Sequence, residues 1–481
     1  MIRQHNKKVY VIRKTFKLFR SHIGKIFMVI NKSDGKTEGE KKVAQLCERS
    51  FLKLWSYPNL FKQKGKELCD NIILFDKTII LISEKTKHDF NYDYSLYKNE
   101  DSQKTIGNRH IDILWKRWCK ELKSSENQLD GAERWIKKHP DQIFLDSKCQ
   151  NKFPLKIPDI TELKFIKISV INGLNNVNIL REKACNGELD YELPIDMILF
   201  KININNIIHV LDDYTFPIIM KELDTATDFI NFFEKKEAFL KSGKTPIGIL
   251  DLDLLPIFLT NIDYKKCCYS FKSLEAVYNK MDLVIIDNPE DPYPDFIQSQ
   301  DYQKMKEENK ISYFWDRLID DCAQTALDGE LVGEQNINQT NEILMIMAKE
   351  TRLSRKILAE AYLEVIENYD YTASHRGRVI QSPCNNKVMY IFFQINKLSE
   401  ETYEEYRDRR RKLTEMYCWV VNANFRKINY IVAITSEPPK FNLYLSRDFI
   451  LYPCQKLSSK DKRTILKMQK ELNILTCIKK I

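Results

Sequence analysis

The stretch Gly65–Lys85, GKELCDNIILFDKTIILISEK, leaves its backbone few choices. Two apolar runs, 68–75 and 78–83, flank a short polar turn, which is the pattern of a β-hairpin. Both runs carry Ile and Leu at successive positions, so each strand is expected to be covered on both faces of a sheet. Two acids, Glu67 and Asp70, stand at the mouth of the first run, and Ser83-Glu84-Lys85 closes the second. Paired as a hairpin, the segment sets carboxylates on one strand beside a lysine on the next.

The neighbouring segments fit an α/β arrangement. Residues 37–56 place Val43, Leu46, Cys47, Phe51, Leu52 and Leu54 at helical spacing, and Thr37 followed by Glu40 forms a capping-box pattern. Tyr57-Pro58-Asn59 is expected to end that helix, with a loop over 61–66. A polar insert at 88–108 precedes a long helix over 110–138, stopped by Pro140. Residues 163–171 and 206–211 read as further central strands and 218–240 as a helix. The alternation over 37–240 predicts an α/β sandwich or open sheet. Residues 241–310 are mixed, with a strand broken by prolines and a strand-like Leu250–Asp253. From 311 to 481 the pattern is a C-terminal α+β domain: helices over 311–369, a strand at 388–394, a helix at 399–424, and strands at 428–435 and 442–446.

Charge narrows the partners less than its total implies. The net charge is +9, and residues 1–36 hold ten Lys/Arg against one acid, Asp34. Ten minus one is nine, so residues 37–481 are neutral overall and offer no global electrostatic footprint. The basic extension reads either as an amphipathic helix for nucleic acid or a membrane surface, or as a solvated tail preceding a start at Met28. Lys and Arg interrupt it too often for a transmembrane span. Twelve scattered cysteines without a CxxC pair predict reduced thiols in a cytoplasmic protein, neither a disulfide framework nor a zinc site. The phosphate-loop, dinucleotide-binding, HExxH and GxSxG patterns are all missing, which removes support for ATP-driven, redox, zincin and common serine-hydrolase chemistry.

Phosphodiester hydrolysis needs carboxylates as hard ligands for Mg²⁺ or Mn²⁺ and a cation beside the scissile phosphate. Glu40 on the helix, Glu67 and Asp70 at the strand opening, and Lys85 at the adjacent strand end supply those groups. On these residues the chain resembles the PD-(D/E)XK nuclease superfamily, the restriction-endonuclease-like fold, and within it the NERD-type and Mrr-like branches. Gly39-Glu40-Lys41-Lys42-Val43 matches the GE-x-x-V helix, Glu67-Leu68-Cys69-Asp70 approximates the E-x-D strand opening, and Ile82-Ser83-Glu84-Lys85 approximates the E-x-K strand end. The later helix with Gln128, Ala132 and Arg134 is similar to the QL-x-x-A helix beside such sites. The resemblance spans about residues 37–240.

It implies a mixed sheet flanked by helices, Mg²⁺ (or Mn²⁺) held by Asp70 with Glu67 or Glu40, and Lys85 orienting or activating water. It further implies DNA cleavage in bacterial genome defence or repair, with the C-terminal half recognising nucleic acid or a partner protein. The sequence departs from the pattern where Ser83 stands two residues before the lysine and the acid, Glu84, immediately before it. Strand alternation then puts Ser83 and Lys85 on one face and Glu84 on the other. Either Glu67 takes over the missing ligand position, Glu84 reaches in through a bulge, or the site is weakened and the fold serves as a binding scaffold.

Two other clusters compete. Asp212, Asp213, Glu222, Asp224 and Asp228 read chiefly as turn and helix-start residues, and His209 as a buried, hydrogen-bonded histidine. His375-Arg376-Gly377-Arg378 reads as a loop whose Arg376 and Arg378 could hold phosphate or lie on an ordinary surface, and Arg407–Lys412 as a salt-bridged helix face.

Overall fold

A computed structural model describes residues 10–14, 29–86, 120–171, 205–241, 251–278, 292–329, 336–369, 375–425, 427–438 and 447–475. The chain divides into two compact units, one of residues 31–262 and 269–302, the other of residues 1–30, 263–268 and 303–481. Expected features at 88–108, 110–119 and 442–446 lie outside the described residues.

The first unit is built on a five-stranded mixed sheet in the order β2 (Ser56–Gln63), β3 (Lys66–Phe75), β4 (Thr78–Lys85), β5 (Lys164–Ile171), β6 (His209–Leu211). The first three strands are an antiparallel meander, and β4, β5 and β6 run parallel. Helix α1 (Glu38–Phe51) begins at Thr37, whose hydroxyl accepts from the Glu40 N–H at 3.1 Å. Only half of the expected capping box forms, because the Glu40 carboxylate turns to the Lys36 N–H instead, at 2.8 Å.

Val43, Ala44, Cys47 and Phe51 are the buried side of α1. Phe51 meets Phe229 of helix Ala226–Lys241 edge-on, ring centroids 4.9 Å apart. On the other face of the sheet, helix 120–138 buries Leu129, Ala132 and Ile136 and ties to β5 through the Lys167 ammonium, which meets Asp130 at 3.0 Å and Glu133 at 2.7 Å.

Three local expectations change. Pro58 does not end structure but sits within β2, on the edge of the sheet, where a missing N–H costs the ladder little. The expected helix over 218–240 is two, Thr215–Glu222 and Ala226–Lys241, because Thr225 caps a new start by accepting from the Asp228 N–H at 3.0 Å. The strand expected at 250–253 is, from residue 251 on, the start of a helix, Asp251–Thr260, with its acids in the first turn.

The second unit carries its own five-stranded sheet: β1 (Tyr10–Lys14), β12 (Arg447–Pro453), β11 (Tyr430–Ser436), β10 (Val388–Ile395) and β9 (His375–Gln381), in that order, the two-residue strands β7 (Ile262–Asp263) and β8 (Cys268–Tyr269) lying between β6 and β9 in the chain. β10 and β11 are parallel, joined by helix Tyr403–Asn424, and the other pairs are antiparallel. Ile391, Phe393, Ile431 and Ala433 pack under Tyr406, Tyr417, Cys418 and Val421 of that helix. On the opposite face Trp315 stands edge-on to Tyr390 at 5.2 Å and donates Nε1–H to the Met347 carbonyl at 3.1 Å.

Part of the basic N-terminal extension is therefore neither helix nor free tail, since Tyr10–Lys14 completes this sheet against Arg447–Leu451. His375–Gln381 is likewise a strand and not a phosphate-holding loop. All nine described cysteines are free thiols. No described helix is long and apolar enough to cross a membrane.

Candidate active site

The end of β4 and the opening of β3 come together as the hairpin requires. Asn71 lies opposite Ile82, so the next step along the ladder sets Asp70 beside Ser83. Ser83 and Lys85, two apart on one strand, share the face that helix 120–138 covers, and one atom gathers them. Gln128 Oε1 accepts from Ser83 Oγ at 2.8 Å and from Lys85 Nζ at 2.8 Å. The other end of the same amide, Gln128 Nε2, donates to Asp70 Oδ1 at 2.6 Å. Asp70 Oδ2 accepts from the Glu84 N–H at 2.7 Å and lies 3.5 Å from Lys85 Nζ. Asp70 is 6% exposed, so these donors stand in for the water its carboxyl has lost.

Two more hydroxyls lie on this face. Ser169 pairs in register with Ser83, and Ser125 is three residues from Gln128 on the same helix. Both are buried, and neither Oγ has a hydrogen-bond partner among the described residues. Such groups ordinarily mark a place for water or a ligand atom.

Glu84 points the other way, as strand alternation demands. Its carboxyl lies against Gly39 in the first turn of α1 and accepts from Thr86 Oγ1, so closely that a methyl group on Gly39 would overlap it. The glycine of the GEKKV segment thus makes room for the acid on β4. Burial pushes the Glu84 carboxyl above the ordinary carboxylate range; the Asp70 and Glu40 carboxylates push the same way, against the Thr86 hydroxyl and Lys85.

A folded-state value above the unfolded one means the folded protein binds that proton more tightly, so stability falls as pH rises from the ordinary carboxylate value through the raised one. Glu84→Gln should therefore be more stable than wild type at pH 7, and the gap should shrink as pH drops to about 4, near the unperturbed glutamate value. Urea midpoints at the two pH values test this; a gap that is independent of pH would remove the Glu84 charge from the balance.

Glu40 and Glu67 form a separate group around Asn59. The Asn59 amide donates to Glu40 Oε2 at 2.9 Å and also to Glu67 Oε1, while Lys36 pairs with Glu67 Oε2. Asn59 takes a left-handed φ of 50° next to the register shift at Leu60/Phe61, which turns its side chain off the regular ladder. Asn59 is not among the residues that the sequence alone picks out; its one signal is a residue type tolerant of that backbone, following a proline.

The site residues thus form two clusters, Asp70–Ser83–Lys85–Gln128 on one face and Glu40–Asn59–Glu67–Lys36 on the other, with Glu84 between them. Among the described residues no group of three or more His, Cys, Asp or Glu side chains is arranged to hold a metal ion. The carboxylates that the resemblance implies as Mg²⁺ ligands are divided between the two clusters, Asp70 in one and Glu40 and Glu67 in the other.

The remaining candidates are occupied structurally. Arg378 pairs with Glu364, and Arg376 donates to the Asn368 carbonyl. Asp212 accepts from the Tyr214 and Thr215 N–H groups, Glu222 from the hydroxyls of Tyr293 and Tyr302 at 3.0 and 2.8 Å, and His209, fully buried, meets Glu237 at 3.3 Å. On helix Tyr403–Asn424, Arg411 and Lys412 pair with Asp408, and Arg409 with Glu401. No protein-family model, no curated protein and no solved structure matches the chain significantly.

Proposed function

We propose that the first unit is a PD-(D/E)XK-like module and the protein a metal-dependent hydrolase of DNA phosphodiester bonds. One observation carries this reading: Asp70, Lys85 and Gln128, from two strands and a helix, converge on one hydrogen-bonded cluster at the end of a mixed sheet. Helix α1, then β3 and β4, then the helix that carries Gln128 is the element order that the sequence resemblance implies.

In this reading the Lys85 ammonium donates to a phosphate oxygen or holds the attacking water, and Gln128 keeps it pointed at the cluster. Asp70 presents a carboxylate whose orientation is fixed by the Glu84 N–H and the Gln128 amide. Mg²⁺ bound there would supply charge neutralisation of the phosphate and a more acidic water. Ser83 and Ser169 line the same face with neutral hydroxyls.

A second reading, a nuclease fold kept as a nucleic-acid- or protein-binding scaffold, draws on Ser83, which puts a hydroxyl where the family pattern has a carboxylate. Incubation of the protein with plasmid, linear and single-stranded DNA, with Mg²⁺ or Mn²⁺ and with chelator, separates the two. Metal-dependent cleavage is expected. No cleavage of any substrate, together with no divalent-metal binding by calorimetry, would replace the enzyme with the scaffold.

A further inference from the structure

Many described lysines that lie on a helix surface of this protein are answered by an acid: Lys41 by Glu38, Lys137 by Glu133, Lys241 by Glu237, Lys412 by Asp408. One place gathers lysines without that answer. The β2–β3 turn, KQKGK, contributes Lys62, Lys64 and Lys66, and the segment 147–152, SKCQNK, contributes Lys148 and Lys152. None of these five ammonium groups has an acidic partner among the described residues.

The two segments are stitched together by backbone bonds. The Gly65 N–H donates to the Ser147 carbonyl at 2.8 Å, and Phe61 and Phe144 exchange bonds at 2.8 and 2.9 Å. Phe144 also bridges to Lys152. Of the acids beside these segments, Glu67 pairs with Lys36 and accepts from Asn59, and Asp146 is spent on its own loop, accepting from the N–H groups of Lys148 and Asn151 at 2.9 and 2.7 Å. Desolvation raises its carboxyl, but the N–H groups of Asn151, Gln150 and Lys148 together outweigh that and hold it below the usual carboxylate range, and it serves as a loop cap. The result is a braced ridge of positive charge on a body that is neutral overall.

Its position gives the ridge a use. Lys85 ends β4 at the level where β3 begins, because the strands are antiparallel with Asn71 opposite Ile82. Lys66 is four residues before Asp70 on β3. At about 3.4 Å per residue the two are about 14 Å apart, which matches about four base pairs of a duplex at 3.4 Å each.

We propose that this lysine ridge is the backbone-tracking surface of the site, gripping phosphates of a DNA duplex on one side of the cleaved bond. The proposal rests on the reading of Asp70 and Lys85 as a phosphodiesterase site and adds where the substrate lies and how it is held. Recognition through ammonium–phosphate contacts makes binding independent of sequence and steeply dependent on salt.

The test combines Lys62→Gln, Lys64→Gln, Lys66→Gln, Lys148→Gln and Lys152→Gln in the full chain. Binding of a fluorescein-labelled duplex is titrated at several salt concentrations, beside a control carrying Lys241→Gln and Lys412→Gln. The ridge variant should bind more weakly, and the slope of log Kd against log salt should flatten by about 3 to 4, close to one unit for each phosphate that is no longer neutralised. The control should match wild type, and circular dichroism should show the fold intact in both.

Wild-type binding with the same slope in the ridge variant would overturn the ridge and leave the site reading standing. No duplex binding by wild type would overturn the ridge, and the site reading falls with it only if cleavage is absent too. Loss of binding to phosphatidylserine vesicles with duplex binding intact would assign the ridge to a membrane surface and also overturn the proposal.

Discussion

Lys85→Met should slow metal-dependent DNA cleavage by about 10²–10⁴-fold, the range expected when a group that handles a proton or orients the nucleophile is removed. Methionine keeps the length and apolar stem of the lysine and deletes only the ammonium. What disappears is a donor 2.8 Å from Gln128 Oε1 and 3.5 Å from Asp70 Oδ2. Asp70 would still accept from the Gln128 amide and the Glu84 N–H, so its carboxylate stays in place. The cost in stability should be small, about 1 kcal/mol, because the lysine side chain is one-fifth exposed and its pairing with Asp70 is long.

Duplex affinity should be close to wild type, since the ridge lysines are untouched. Single-turnover cleavage and binding measured on the same preparation separate the two effects. A variant that cleaves as fast as wild type would take Lys85 out of the chemistry. One that cleaves slowly and also fails to bind would make it a binding residue.

The largest stability loss is expected from Arg410→Ala in the second unit. Arg410 is fully buried on helix Tyr403–Asn424, and Asp448 on β12 is 2% exposed. The guanidinium donates through Nε at 2.8 Å and Nη2 at 2.5 Å to Asp448 Oδ2, and through Nη1 to the Tyr406 hydroxyl at 3.2 Å. Among the described residues, removing it leaves a buried carboxylate with the Arg407 contact at 3.2 Å alone. Breaking a buried pair from one side costs about 3–5 kcal/mol, since the remaining charge has lost its water and most of its partner. The midpoint of the unit's thermal transition should fall by about 10 °C.

Arg410→Leu combined with Asp448→Leu should recover much of that loss, because two apolar side chains leave no charge stranded. Calorimetric scans of the single and double variants test both statements. A single variant with an unchanged midpoint would mean that water reaches Asp448.

Much of the first unit's sheet was legible because its signals are local. Two apolar runs around a polar turn specify a hairpin, and a β-strand's period of two assigns Ser83 and Lys85 to one face and Glu84 to the other; Gln128 and Gly39 are found on those two sides. The same holds for α1, whose Thr37 cap and buried stripe depend on neighbouring residues alone.

What escaped the sequence depended on long-range partners. Pro58 and Asn59 look like a helix stop, and only an edge position beside β3 lets the proline lie in a strand. His375–Gln381 looks like a basic loop, and it becomes a strand because Val388–Ile395 offers a ladder to pair with. Tyr10–Lys14 looks like part of a charged tail until Arg447–Leu451 accepts it.

The sequence by itself determined the GKELCD…ISEK hairpin, the helix that precedes it and the face on which each candidate side chain stands, because turn chemistry and strand periodicity act over a few residues. Only the tertiary structure decided how those side chains are shared. It gave Asp70 and Lys85 to Gln128, gave Glu40 and Glu67 to Asn59, and left five lysines at the mouth of the hairpin without an acidic partner among the described residues. The physical reason is that a hydrogen bond or ion pair is settled by which groups the fold brings within about 3 Å of each other, and residues 43 to 58 positions apart carry no trace of that in their order along the chain.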